Sequence, residues 1–266
     1  MLLPSKSKTV YSDELGSIDY GNCNSGYIIA NYIGSVDKRC KVTVAKKEAT
    51  KMTFDIVMKD AVLPLSLGSG IYTVQMFQQI KDTLYKQVLS VDFTVQLKGR
   101  EIPFMYPNTY CWFTEMSKVV RIARSIANPL VTEAETVGGF YRWVMDNLEY
   151  DYQLAANVGN EKWWLPNPDS VVEQKKSICF GYASLLAALC RVVGIPCSID
   201  VGYVNGVLHA YNRVLVKNGG QVTNYIYLLD NKWFRLDPTL HDTGMSDKEV
   251  AMFTANDLNY SFQYRG

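Results

Sequence analysis

The stretch "KKSICFGYASLLAALCRVVGIP", residues 175–196, joins a long apolar helical pattern to a cysteine at its start. Gly194 and Pro196 predict the end of this helix, and Ser177 is the expected N-cap. Cys179 then lies in the first turn, where the positive end of the helix dipole favours a thiolate. A cysteine used only for packing could lie anywhere on the apolar face, so this position suggests chemistry.

Length, charge and hydropathy limit the class of protein. The chain has 266 residues, enough for one large domain or two ordinary ones. A net charge of +1 gives no electrostatic argument for binding nucleic acid. No stretch approaches the roughly 20 apolar residues of a transmembrane helix. The start, "MLLPSKSKTV", is too polar for a signal peptide, so we expect a cytoplasmic protein or one whose leader is absent from this sequence.

The cysteines do not indicate a metal site. None of the six forms a C-x-x-C pair and the chain has two histidines, so no metal or cofactor is expected. Cys190 and Cys197 are interpreted as small core residues. A disulfide between Cys23 and Cys40 stays open at this point.

The first part of the chain, about residues 26–97, has the period of β-strands. In "LSVDFTVQL", residues 89–97, apolar and polar side chains alternate strictly, which is typical of a half-buried antiparallel strand. About six such strands, separated by turn-forming clusters, predict a small β-sandwich-like domain. No cluster of titratable residues stands out in it, so we interpret it as a structural or binding domain.

The pattern becomes helical further along the chain. "SKVVRIARSIANP", residues 117–129, predicts one helix that stops before its proline. Thr132 and Glu135 have the spacing of a capping box, which marks the start of the next helix. That helix carries an apolar stripe of Val137, Phe140, Tyr141, Val144 and Leu148.

These changes of period predict the domain organisation. Residues 1–100 form the β-sandwich-like accessory domain, residues 101–130 form the connection and first helix, and residues 131–266 form the domain that contains Cys179.

Two partners for Cys179 follow in the chain. Beyond its helix the period returns to that of strands, and His209 lies in the second of them. Asp237 closes the last strand. Separations of 30 and 28 residues allow neighbouring antiparallel strands to bring His209 and Asp237 together. An imidazole can hold a thiolate as an ion pair and protonate a leaving group, and a carboxylate can fix the imidazole tautomer.

Three motifs carry a resemblance to a known family. "ICFGYASLLAALCRVVGIP", "HAYNRV" and "RLDPT", in this order, are similar to the transglutaminase-like superfamily over roughly residues 135–240. The resemblance implies an α+β, papain-like fold, a Cys179–His209–Asp237 triad and acyl transfer or hydrolysis through a thioester. Its substrate would be a protein, peptide or other amide. The β-rich first part resembles the accessory domain of secreted or surface-attached bacterial members, which implies an extracellular or cell-surface location.

Aromatic residues near the triad are candidates for substrate binding. Trp163 and Trp164 lie in "GNEKWWLPNPDS" before the cysteine helix and are expected either to form a cleft wall or to cover the core edge. Tyr150 and Tyr152 end the preceding helix and could face the cleft. Tyr211 stands where the family has tryptophan and is expected to shape the cleft.

Several functions fit these residues. Water as acceptor gives a peptidase or amidase, and a lysine amine gives a cross-linking enzyme. A non-catalytic surface module that keeps the fold is the alternative, although such a module would be expected to lose a triad residue. Arylamine acetyl transfer is disfavoured because Lys-Ser-Ile precedes Cys179, and papain-type peptidases have asparagine where Asp237 stands. His241 is interpreted as a surface histidine, and the oligomeric state is not predicted.

Overall fold

The structure of the protein, a computed structural model, describes residues 1–47, 49, 51–158 and 164–266. The described chain forms two compact units, Leu3–Thr109 and Tyr110–Arg265. The first consists mainly of strands and the second combines helices with an antiparallel sheet, as the predicted α+β class requires. The helix Lys118–Ala127, placed with the connection at 101–130, belongs to the second unit.

The first unit contains two antiparallel sheets. Its strands are β1 Val10–Asp13, β2 Gly16–Asp19, β3 Tyr27–Tyr32, β4 Cys40–Lys46, β5 Met52–Asp55, β6 Ala61–Pro64, β7 Gly70–Lys81 and β8 Leu84–Val95. One sheet has the order β1-β2-β3-β6 and the other β5-β4-β7-β8. The described part of this unit thus has eight strands, whereas the sequence predicted about six. Strands β1, β2 and β6, of four residues each, lie among segments in which the sequence showed no alternation.

The predicted alternation positions the core of the first unit. Every second residue from Leu89 to Val95 is buried along β8. Phe93 stacks on Tyr72 of the same sheet, with ring centroids 6.2 Å apart, and on Tyr20 beside β2, at 5.0 Å. The buried faces of the two sheets therefore meet, in a sandwich-like arrangement.

The two cysteines of the first unit are separate thiols. Cys23 and Cys40 are both buried and free, so the disulfide left open by the sequence does not form. The Cys23 Sγ lies 3.7 Å from the carbonyl oxygen of Thr94. Burial raises the pKa of Cys40 to about 12, so this thiol stays protonated at neutral pH.

The second unit surrounds a central helix. Its helices are α1 Lys118–Ala127, α2 Glu133–Asn147, α3 Tyr152–Asn157, α4 Pro168–Gln174, α5 Cys179–Val192 and α6 Asp247–Ala255. Its strands are β9 Glu149–Tyr150, β10 Lys176–Ser177, β11 Cys197–Val204, β12 Val207–Leu215, β13 Gly220–Gln221, β14 Tyr227–Leu228, β15 Trp233–Leu236 and β16 Tyr260–Arg265. Among the described residues, no helix is long and apolar enough to cross a membrane.

Helix α2 begins where its capping box predicts. The Thr132 side chain accepts a hydrogen bond from the Glu135 backbone N–H at 3.1 Å, and the Glu135 carboxylate accepts one from the Thr132 N–H at 2.9 Å. The predicted apolar stripe that follows is buried in full. Local sequence thus fixes both the start of α2 and the face that it buries.

Helix α5 is buried on all sides from Gly181 to Val192. The Asn212 side chain of β12 donates to the Ala183 carbonyl at 2.9 Å and so ties the helix to the sheet. The predicted N-cap is wrong: the cap position is Ile178, without a side-chain cap. Ser177 pairs instead with Tyr150 across the parallel strands β10 and β9, which leaves Cys179 as the first helical residue.

The main sheet of this unit has the order β15-β12-β11-β16. Strand β16 lies at the edge, where the Arg265 guanidinium makes two 2.7 Å hydrogen bonds to the buried carboxylate of Asp200 in β11. Gly202 lies opposite Phe262 of β16 and opposite His209 of β12. A Cβ at Gly202 would come 1.8 Å from the Ser261 carbonyl oxygen, so only glycine allows this close approach.

We predict that Gly202→Ala displaces β16 and lowers the free energy of unfolding by about 1–3 kcal/mol, the usual cost of overpacking a fitted site. The new methyl group meets backbone, which cannot rotate away as a side chain does. Urea unfolding checks the value. The control Ser261→Ala changes an exposed side chain in the same strand and should leave stability within about 0.5 kcal/mol. Equal stabilities for Gly202→Ala and wild type would contradict the expected clash.

Candidate active site

Cys179 is set apart from the other cysteines by its surroundings. The structure describes all six, and Cys179 is partly accessible while the other five are buried. It is the first residue of α5, so its backbone N–H has no intrahelical acceptor. This N–H belongs to the N-terminal end of the helix, which carries a partial positive charge. Cys190 and Cys197 are fully buried, and the hydrogen bond that the Cys190 thiol donates to Cys197, together with burial, raises the pKa of Cys190.

His209 connects Cys179 to Asp237. Its Nε2 lies 2.8 Å from the Oδ2 of Asp237, and the Cys179 side chain is near enough to the imidazole to act on its pKa. Since Nε2 is taken by the carboxylate, Nδ1 is the ring nitrogen available to the sulfur. Burial alone would lower the pKa of His209, but the carboxylate of Asp237 and the contact with Cys179 outweigh it and raise the pKa to about 10.

Asp237 is a fully buried carboxylate between two local structures. It follows β15 and precedes the 3-10 helix Pro238–Thr243. Its Oδ2 accepts a second hydrogen bond, from the Tyr260 hydroxyl of β16 at 3.0 Å. The carboxylate is thus held by side chains from two other strands of the sheet, β12 and β16.

An aromatic layer lies behind the imidazole. The ring of Tyr211 stacks on His209 with centroids 6.4 Å apart, and Tyr260 packs on Tyr211 at 4.6 Å. The Arg235 guanidinium lies over the Tyr260 ring, 4.1 Å from its centroid. Tyr211 is 1% exposed, so the prediction that it contacts substrate is corrected: it supports His209 from inside the unit.

The other predicted aromatic residues have different surroundings. Tyr152 is 70% exposed, and its ring meets that of Tyr150 edge to face at 5.0 Å. Trp164 packs edge to face on Phe180, the residue after Cys179, at 6.2 Å. Trp163 lies outside the described residues. Trp164 and Tyr152, which the structure describes, therefore lie close to the site.

His241 is not the surface residue that the sequence suggested. Its side chain is 15% exposed, and its Nε2 lies 3.2 Å from the Tyr141 hydroxyl. Burial lowers the pKa of His241, although neighbouring carboxylates act against this. The buried α2 stripe supplies Tyr141, which the sequence marked only as a core residue, so the pairing was not foreseen.

A cleft of about 390 Å³ opens beside His209. Its lining is mainly apolar and includes Tyr150 and Tyr152 on one side and Val204 and Val207 of the β11–β12 hairpin on another. Within the described residues, no group of three histidine, cysteine or acidic side chains could hold a metal ion.

Chemically, the arrangement offers a nucleophile and a proton donor at one point. A partly accessible sulfur at a helix start can attack a carbonyl carbon. An imidazole held between that sulfur and a buried carboxylate can pass a proton to the departing group. The backbone N–H of Cys179 can donate to the oxyanion that forms.

Comparisons with known proteins agree with this chemistry. Residues 120–238 match the family model described as the transglutaminase-like superfamily. The kyphoscoliosis peptidases of Mus musculus and Homo sapiens are each 26% identical over 123 residues, 46% of this chain and 18% of theirs. The chain therefore covers less than a fifth of the length of these curated relatives.

Solved structures give a more distant likeness. A candidate cysteine protease from Cytophaga hutchinsonii is 15% identical, with a TM-score of 0.45, over 86% of this chain and 78% of its own. The family assignment rests instead on the sequence match, which contains all three residues of the site. The similarity to the transglutaminase-like superfamily is therefore carried by residues 120–238, the part of the chain that contains Cys179, His209 and Asp237.

Proposed function

We propose that the second unit is a thiol-dependent enzyme that transfers or hydrolyses the acyl group of a protein, peptide or other amide substrate. The observation that carries the proposal is the imidazole of His209, which bonds the Asp237 carboxylate and interacts with the Cys179 side chain. A histidine that served only the fold would not need a partly accessible thiol as its second partner. The peptidase names of the curated relatives support hydrolysis of a peptide bond.

The proposed reaction has two steps. The Cys179 thiolate attacks the carbonyl carbon, the C–N bond breaks, and the proton on Nδ1 of His209 moves to the leaving nitrogen. The acyl group is then held as a thioester. Water or an amine next attacks the thioester, gives its proton to Nδ1, and releases the acid or the new amide with the thiolate restored. Asp237 keeps the ring oriented through its hydrogen bond to Nε2.

Removal of each triad side chain should slow acylation in a fixed order: Cys179→Ala most, then His209→Ala, then Asp237→Asn. The thiolate is indispensable, and without His209 the leaving amine has no acid. In a serine-protease triad, Asp→Asn costs about 10⁴ in turnover; here the loss should be smaller because a thiolate needs less help from a base. Single-turnover acylation of folded variants by a peptide amide measures the order.

A matched control accompanies this series. Asp92→Asn makes the same change at an exposed position of β8 and should acylate like wild type. The triad is refuted if Asp237→Asn acylates at the wild-type rate, or if His209→Ala acylates faster than Asp237→Asn.

The pH profile should report the charge on His209. The imidazolium is the reacting form, so the acylation rate should hold up to about pH 9 and fall as the pH passes the pKa of about 10. Asp237→Asn removes a charge that raises this pKa, so the alkaline fall should move to lower pH. Stopped-flow rates between pH 7 and 10.5 test both statements. An unchanged alkaline limb in Asp237→Asn would show that His209 is not the group observed.

Tyr260 should act as a positioning residue through Asp237. Tyr260→Phe leaves the buried carboxylate with one hydrogen bond fewer, which should cost about 1–3 kcal/mol of stability. It should also lower kcat with little change in KM, because the side chain is buried behind Asp237. In an Asp237→Asn background both effects should shrink. Tyr203→Phe, at an exposed tyrosine of β11, is the control. If Tyr260→Phe lowers stability and kcat equally in the wild-type and Asp237→Asn backgrounds, Tyr260 does not act through Asp237.

A further inference from the structure

The cleft beside His209 has a fixed relation to the imidazole. Val207 and His209 are two residues apart on β12, so their side chains share one face of the strand. Val204 pairs directly with Val207 across a two-residue turn, in which Asn205 and Gly206 have φ of 50° and 80°. Two left-handed residues of this kind make a tight hairpin turn that sets strand register. The apolar wall is therefore held at a set position relative to the ring.

Proton transfer places one part of the substrate in this cleft. Under the proposed function, His209 gives its proton to the leaving nitrogen, so that nitrogen must lie within hydrogen-bond reach of the ring. The substrate atoms attached to it then lie on the His209 side of the sulfur. His209 lines the cleft. A residue that follows the scissile bond would thus enter this cleft.

The lining indicates what that residue is. Val204, Val207, Leu240 and Phe253 contribute apolar surface, with the rings of Tyr150 and Tyr152 beside them. One carboxylate, that of Asp242, also lies there, and it already accepts a hydrogen bond from the Tyr182 hydroxyl. An apolar side chain loses little on leaving water for such a surface, whereas a charged one loses its hydration.

We infer that this cleft is the leaving-group subsite and that it takes the bulky aliphatic or aromatic side chain directly after the cleaved peptide bond. The inference rests on the proposed function and narrows its substrate class to polypeptides cut before an apolar residue. Release of ammonia from a glutamine side chain would leave the cleft empty. A lysine acceptor would bring an ammonium group against mostly apolar walls.

The test uses the full chain and a randomised peptide library, with cleavage sites read by mass spectrometry. We expect leucine, methionine and phenylalanine after the cut to be favoured over glycine and aspartate by about 10- to 200-fold, the range that an apolar pocket gives. Val207→Asp puts a carboxylate on the cleft wall and should reduce this preference about tenfold. The control Leu258→Asp makes the same kind of change at a side chain that is 94% exposed and should keep the wild-type preference.

A second measurement separates the two proposals. Acylation of Cys179 by an activated ester with a small leaving group reports the nucleophile without the cleft. If the ester reacts but cleavage shows no preference, or if deamidated glutamine or lysine cross-links are the products, the subsite inference is overturned and the thiol chemistry stands. If neither the ester nor any peptide reacts, the proposed function falls and the subsite with it.

Discussion

The buried carboxylate of Asp237 is the charge around which the second unit arranges its site. Removing an ion from water costs several kcal/mol unless partners replace the lost hydration. Its Oδ2 takes hydrogen bonds from His209 and Tyr260, which lie on β12 and β16. Because Asp237 follows β15, one oxygen depends on the placement of three strands, and the orientation of the imidazole follows from that placement. The buried carboxylate of Asp200 is likewise satisfied by a side chain of β16, Arg265, and this contact keeps the edge strand paired.

The three proposed catalytic residues could be identified from sequence because their signals are local. Cys179 opens a helix pattern, His209 lies in an alternating strand, and Asp237 ends one before a proline. The structure brings them together, and their roles stay predictions until variants are measured. Tyr260 was out of reach, since its contact joins residues 23 positions apart through strand register. Tyr211 was predicted to contact substrate because it lies in the same motif as His209. In the structure, Tyr260 packs on the Tyr211 ring and covers it.

The same difference between local signals and long-range contacts explains which elements of the fold were predicted from sequence. The alternation over residues 89–97 and the Thr132 capping box are long or specific patterns; the capping box is confirmed, and the strand is confirmed as far as Val95. Helices α3 and α4 have six and seven residues, less than two turns each, so no apolar stripe can be read in them. Two missed elements did carry signals: Ser246 and Glu249 cap α6, and aromatic residues alternate along β16. Ser177 was misjudged because its pairing with Tyr150 comes from a distant segment.

The position of β16 in the chain has a consequence for protein synthesis. Tyr260 is translated about 80 residues after Cys179. At about 5–20 residues per second, the ribosome needs roughly 4 to 16 seconds for that interval. During it, the helix that bears the thiol can form while the carboxylate behind His209 still lacks one of its two donors. Under the proposed function, the order of translation therefore delays completion of the site until the edge strand β16 has been made and has paired with β11.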